Sequence, residues 1–279
     1  MSGRFTTSDG LSLAYEDDGG AGTPLLCLAG LTRNARDFDD LAAVRPDGVR
    51  MVRLTARGRE PSDYDPDPAH YQLPVEARDA VELLDHLRID RAVIVGTSRG
   101  GLIALLLAAT AKPRLAGVLL NDIGPEINPA GLQRIADYVG VTPAVRTLDE
   151  AAAALLLQNR AAFPKMRHAD WRRLAERWFR IEADGLGLRY DPALAQPLRA
   201  GGAQPVPDMW PLFDALAGVP LACVRGAHSD ILSAATLAAM QARRPDMIAA
   251  IVPDRGHVPF LDEPEALRAL QQLLAKVRG

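Results

Sequence analysis

An α/β fold built on a mainly parallel sheet is what this sequence predicts, and three observations predict it. Short runs of β-branched or leucine-rich residues alternate with helix-period segments along most of the chain. One such run, Ala92-Val93-Ile94-Val95, leads through Gly96-Thr97-Ser98-Arg99-Gly100 straight into an apolar segment that begins at Leu102. The 279 residues are 48% apolar and carry a formal net charge of −3, enough to bury a sizeable core as one domain with an insertion.

In order, residues 5–7 and 11–15 flank Ser8-Asp9-Gly10 and read as a hairpin. Pro24-Leu25-Leu26-Cys27-Leu28 is a continuous apolar run, as for a strand covered on both faces, and it ends in Ala29-Gly30-Leu31-Thr32-Arg33-Asn34. A short helix over 37–44, a strand over 49–54 and the loop Arg57-Gly58-Arg59 come next, with a Pro/Asp turn over 63–68. Residues 74–87 start on Pro74 and place Val81, Leu84 and Leu87 at helical spacing. After the serine turn and its helix, 115–120 form a strand closed by Asn121-Asp122-Ile123-Gly124-Pro125. Strands separated by helices imply right-handed crossovers in a parallel sheet.

From about Glu126 to Trp210 strand-like runs give way to helical patterns, at 151–157 and at 171–179. In the second, Trp171, Leu174, Trp178 and Phe179 share one face and arginines take the rest, a stripe that packs onto the same protein. The expectation is a helical insertion over 126–210, ended by the Gly/Pro loop at 201–207, with 1–125 and 211–279 forming the core. The alternation resumes with strands at 220–224 and 247–252 and helices at 234–243 and 264–277.

The near-neutral charge offers no electrostatic footprint for nucleic acid or an anionic membrane. The N-terminal residues lack the apolar run of a signal peptide and no stretch is long enough to span a bilayer, which predicts a cytoplasmic protein. Cys27 and Cys223 lie in apolar strand runs and read as buried, reduced thiols. No Cys/His spacing for zinc and no phosphate-binding motif is present, so neither metal nor cofactor is expected.

A serine in a tight strand-to-helix turn is a candidate nucleophile, because the turn holds its hydroxyl clear of the sheet. It needs a base within hydrogen-bond reach and an acid that orients the base. His257 sits in a loop between the last strand and the last helix, and loops after strand C-termini gather at one edge of a parallel sheet. Of the other histidines, His70 lies in a turn, His86 on a helix, His168 in the insertion and His228 in the loop of Asp230. Asp230, in the loop after strand 220–224, is the favoured acid because it gives the chain order Ser…Asp…His. Asp122, immediately after strand 115–120, competes for that role, or else pins a loop. Charge developing on a carbonyl oxygen would be met by the backbone N–H groups of Arg99 and Leu31.

These motifs, Gly96-Thr97-Ser98-Arg99-Gly100-Gly101, Ser229-Asp230-Ile231-Leu232 and Gly256-His257-Val258-Pro259 in that order, resemble the α/β-hydrolase superfamily over nearly the whole chain. The resemblance implies a mostly parallel eight-stranded sheet flanked by helices, with a helical cap inserted after the sixth strand. One departure is Ala29-Gly30, where the family frequently has His-Gly. Ser98, where dehalogenases and epoxide hydrolases carry Asp, sets the chain apart from both. The implied activity is cofactor-independent hydrolysis of a small-molecule carboxylic ester or lactone through an acyl-serine, by a monomer or homodimer. C–C bond hydrolysis, perhydrolysis and non-catalytic ligand binding are the alternatives. The cap would roof the pocket, with Arg33 and Trp178 touching substrate, and Arg33, Arg36 and Arg99 suggest an anionic group on it.

Overall fold

The computed structural model describes residues 1–201 and 208–279. The chain opens with the hairpin β1 (Ser2–Thr6) and β2 (Ser12–Asp17), then β3 (Thr23–Leu28). A 3₁₀ turn over Ala35–Phe38 leads into α1 (Asp39–Val44), so the expected short helix starts with a tighter first turn, capped by the Asn34 side chain. β4 (Val49–Leu54), α2 (Leu73–His86), β5 (Ala92–Thr97), α3 (Arg99–Thr110) and β6 (Leu115–Asn121) follow.

Strand order in the sheet is β1-β2-β4-β3-β5-β6, completed by β9 (Leu221–Gly226) and β10 (Ile248–Val252) from the C-terminal part of the chain. The β1–β2 and β2–β4 pairs are antiparallel and every later pair is parallel. Side chains of a strand alternate faces, and the core divides accordingly. Leu26, Leu28 and Ile94 face one side with α2 and α3, while Leu25, Cys27, Val93 and Val95 face α1 and the C-terminal helix on the other. Both cysteines are buried free thiols, and burial pushes both up from the ordinary value.

Between β6 and β9 lie α4 (Pro129–Tyr138), α5 (Leu148–Asn159) and α6 (His168–Trp178). A small antiparallel hairpin of β7 (Phe179–Glu182) and β8 (Gly185–Leu188) follows, then α7 (Ala195–Gly201). The hairpin departs from the all-helical reading of this segment. Phe179 opens β7 instead of continuing the helical stripe, because α6 ends at Trp178 and the chain turns to extended backbone. The loop expected at 201–207 lies, from residue 202 on, outside the described residues. The segment is tied back onto the core by backbone: Glu60 N–H donates to the Arg189 carbonyl at 2.8 Å and Asp191 N–H to that of Gly58 at 2.8 Å. α8 (Trp210–Asp214), α9 (Ala234–Arg243) and α10 (Pro264–Arg278) complete the layers. Among the described residues, no helix is long and apolar enough to cross a membrane.

Candidate active site at the carboxyl edge of the sheet

Ser98 is the hinge between β5 and α3, with φ 51° and ψ −114°. That is left-handed backbone, which non-glycine residues adopt at a cost and which keeps the hydroxyl off the sheet. The turn closes only because its glycines lack side chains. A Cβ on Gly96 would lie 2.5 Å from the Gly100 carbonyl oxygen, and one on Gly100 would lie 2.0 Å from that of Leu28.

β5 and β6 are neighbours in a register that pairs Thr97 with Asn121. The next residues, Ser98 and Asp122, therefore leave the sheet side by side. His257, from the loop between β10 and α10, lies with both. Its Nδ1–H donates to Asp122 Oδ2 at 2.7 Å, and its Nε2 accepts from the Ser98 hydroxyl at 2.9 Å. A carboxylate on Nδ1 dictates that tautomer, leaving Nε2 free to take a proton from the serine. Asp122 is fully buried and has two further donors, the Gly226 N–H at 2.9 Å and the Ser229 hydroxyl at 2.7 Å.

Asp230, the acid favoured on chain order, is not at the histidine. Its side chain is 43% exposed and both oxygens are taken by Arg134 of α4, at 2.6 and 3.0 Å. Partial burial opposes its charge, but the Arg134 guanidinium outweighs that and holds the carboxyl below the usual range. Asp122 is the carboxylate at the imidazole because it is one residue past the strand beside the serine, whereas Asp230 lies four residues beyond the end of β9. From that loop it is Ser229, not Asp230, that reaches the buried carboxylate.

A cavity of about 380 Å³ opens over Ser98 and His257. Leu31, Arg33 and Trp178 line it, as does Arg134, which sequence reasoning missed. The N–H groups of Leu31 and Arg99 have no hydrogen-bond partner among the described residues. Gly30 carries the Leu31 turn close to the serine, since a Cβ on it would stand 3.8 Å from Ser98 Cβ. The side chain of Arg99 corrects another expectation. It bonds Glu76 Oε2 at 2.7 Å and the Tyr71 carbonyl at 3.0 Å, so a buried carboxylate of α2 has claimed it. Arg36 is likewise turned to Asp39, at 3.6 Å, and to the Glu176 carbonyl, at 3.2 Å.

Asn121 was also missed. Its amide donates to the Thr97 hydroxyl at 3.1 Å and to the Pro259 carbonyl at 2.9 Å, fastening the loop of His257 to the end of β6. Among the described residues one group, Asp9, Asp65 and His70, has metal-ligand proximity. Arg57 already bonds Asp9 Oδ2 at 2.9 Å and Asp65 Oδ2 at 2.6 Å, so the cluster's negative charge is met by the protein.

Known proteins agree with this architecture. A chain from Novosphingobium aromaticivorans, described as an alpha/beta hydrolase, superposes with a TM-score of 0.92 at 44% identity, covering 99% of this chain and 98% of that one. The 3-hydroxybutyrate-oligomer hydrolase of Cupriavidus necator is 35% identical over 270 residues, 93% of this chain and 92% of the relative. The 2-(acetamidomethylene)succinate hydrolase of Mesorhizobium japonicum is 27% identical over 269 residues, 91% of this chain and 89% of the relative. The profile of the Alpha/beta hydrolase family matches residues 25–270, and the chain belongs to that family.

Proposed function

We propose that this chain is a serine hydrolase of carboxylic esters, with Ser98, His257 and Asp122 as its catalytic triad. The observation that carries the reading is the hydrogen-bonded series from the Ser98 hydroxyl through His257 to a buried carboxylate, at 2.9 and 2.7 Å. The 35% identity to a protein named for cleaving 3-hydroxybutyrate oligomers favours an ester as the bond attacked.

Ser98 Oγ attacks the ester carbonyl as its proton passes to His257 Nε2, and Asp122 stabilises the imidazolium. The negative charge on the former carbonyl oxygen is met by the N–H groups of Leu31 and Arg99. Collapse breaks the C–O bond, and His257 returns its proton to the departing alkoxide, which leaves as an alcohol. Water then attacks the acyl-serine, giving a proton to His257; that proton returns to Ser98 as the acid departs. No metal or cofactor enters this sequence. Residues 126–210 act as a cap whose cavity-lining side chains select the substrate, and the protein works in the cytoplasm as a monomer or homodimer.

The test is hydrolysis of 4-nitrophenyl esters of increasing chain length by wild type and Ser98→Ala, with fluorophosphonate labelling of both. Turnover and labelling that vanish together in Ser98→Ala support the reading. Ester turnover that survives in Ser98→Ala overturns the serine mechanism. Wild-type labelling without turnover of any ester overturns the ester assignment and leaves a different scissile bond.

A further inference from the structure

Arg33 differs from the other guanidinium groups around the cavity in what it lacks. Arg99 is taken by Glu76 and a carbonyl, Arg134 by both oxygens of Asp230, and Arg177 by both oxygens of Asp40. Among the described residues no acceptor is hydrogen-bonded to the Arg33 side chain. Its nearest carboxylate oxygen, Asp37 Oδ2, is 3.8 Å away, beyond hydrogen-bond length.

What holds Arg33 is an aromatic face. Its guanidinium carbon stands 3.7 Å from the ring centroid of Trp178, at the end of α6, and Asp37 fixes that ring by accepting from the indole N–H at 3.0 Å. Stacking constrains a guanidinium while leaving its in-plane N–H groups available, the arrangement that suits a bidentate carboxylate. Burial pushes the Asp37 carboxyl up from its ordinary value, against the opposing pull of Arg33 and of the Trp178 N–H. A Cβ on Gly30 would lie 3.7 Å from Arg33 Cγ and 3.8 Å from Ser98 Cβ, so Arg33 flanks the turn that faces the nucleophile. Trp171, which also lines the cavity, adds an unmet donor, since its indole N–H is buried and has no partner among the described residues.

We propose that Arg33, clamped on Trp178, is the binding point for a free carboxylate on the substrate. The preferred substrates are then short esters that carry a second, ionised acid group a few carbons from the scissile carbonyl. This rests on the ester-hydrolase reading above and specifies its substrate class.

The experiment compares acid and amide partners of equal length in wild type, Arg33→Met, Arg33→Lys and Arg36→Met. Mono-4-nitrophenyl glutarate against its glutaramate counterpart puts the charge on the acyl side. 3-Acetoxypropanoate against 3-acetoxypropanamide puts it on the alcohol side. Wild type is expected to prefer the acid about tenfold or more in kcat/KM in at least one pair, through KM, and to lose part of that preference at high salt. In Arg33→Met the ratio falls to near one, Arg33→Lys keeps part of it, and Arg36→Met keeps the wild-type ratio. A wild type indifferent to the charge in both pairs, or an Arg33→Met enzyme that retains the preference, overturns the proposal.

Inhibition of wild type by glutarate against glutaramide supplies the same comparison if a variant does not fold, with equal inhibition counting against Arg33. If neutral esters are cleaved without any acid preference, only the Arg33 proposal fails. If no ester is cleaved and Ser98 takes no label, the ester-hydrolase reading fails and this proposal falls with it.

Discussion

Asp122 and His257 are joined by a 2.7 Å hydrogen bond between a fully buried carboxylate and Nδ1 of the ring. The carboxylate is itself held by the N–H of Gly226 and the hydroxyl of Ser229, so it cannot rotate away from the imidazole. An acid fixed at three points sets the ring's tautomer and orientation before any substrate arrives.

Asp122→Asn should therefore lower kcat by about a thousandfold or more, because an amide in that position favours the wrong tautomer. Asp230→Asn should stay within a few-fold of wild type, since that carboxylate serves Arg134. Steady-state kinetics on one 4-nitrophenyl ester decides it, and the reverse ranking would return the role to Asp230.

Ser229→Ala tests the support behind the acid. The hydroxyl donates to Asp122 and accepts from the N–H groups of Ile231 and Leu232, at 3.2 and 3.1 Å. Losing one charge-assisted bond should reduce kcat roughly tenfold with little change in KM. Unchanged kcat would mean that Gly226 alone suffices to hold the carboxylate.

Gly100→Ala should disrupt the serine turn. The added methyl would stand 2.0 Å from a backbone oxygen of β3, which no rotamer change relieves. A cost of about 1–3 kcal/mol or more is expected, a fall in Tm of roughly 5 °C, with slower fluorophosphonate labelling of Ser98. Thermal unfolding and labelling rates measure both.

Glu76 predicts an acid-sensitive step. Burial opposes its charge, but Arg59 and Arg99 outweigh that and lower its carboxyl from the ordinary 4.5 to about 2. The folded value lies below the unfolded one, so its stabilisation is complete above pH 4.5 and is lost as the pH falls toward 2. Glu76→Gln should lose about 3–5 kcal/mol at neutral pH by leaving two guanidiniums short of a partner. It should also flatten the decline in Tm over that acid range, and a decline as steep as wild type would show that Glu76 is not responsible.

Much of the site was legible because it is local. The run from Ala92 to Leu102 contains the strand, the turn and the start of the helix, and the glycines mark where backbones nearly touch. His257 was legible through topology alone, since loops after parallel strands share one edge. The β7–β8 hairpin was harder: its strands are four residues each, too short for alternation to stand out between helices.

The acid shows where such reading ends. Asp230 was favoured, but the order Ser…Asp…His holds for Asp122 as well and cannot separate the two; sheet register decides which carboxylate lies beside Ser98, and register is a pairing between residues 24 positions apart, Thr97 and Asn121. The same holds for the arginines. Arg33, Arg36 and Arg99 are all near the serine turn, yet α2 supplies the carboxylate that claims Arg99, and α6 supplies the indole that clamps Arg33. The sequence by itself determined the strands and the tight turn that carries Ser98, because periodicity and steric fit act within a few residues, and strand topology placed the loop of His257 at the same edge. Only the tertiary structure decided which carboxylate meets His257 and which arginine beside the cavity keeps its guanidinium free of a hydrogen-bonded acceptor among the described residues, because partners for buried or half-buried charges come from distant segments, and burial makes each such choice exclusive.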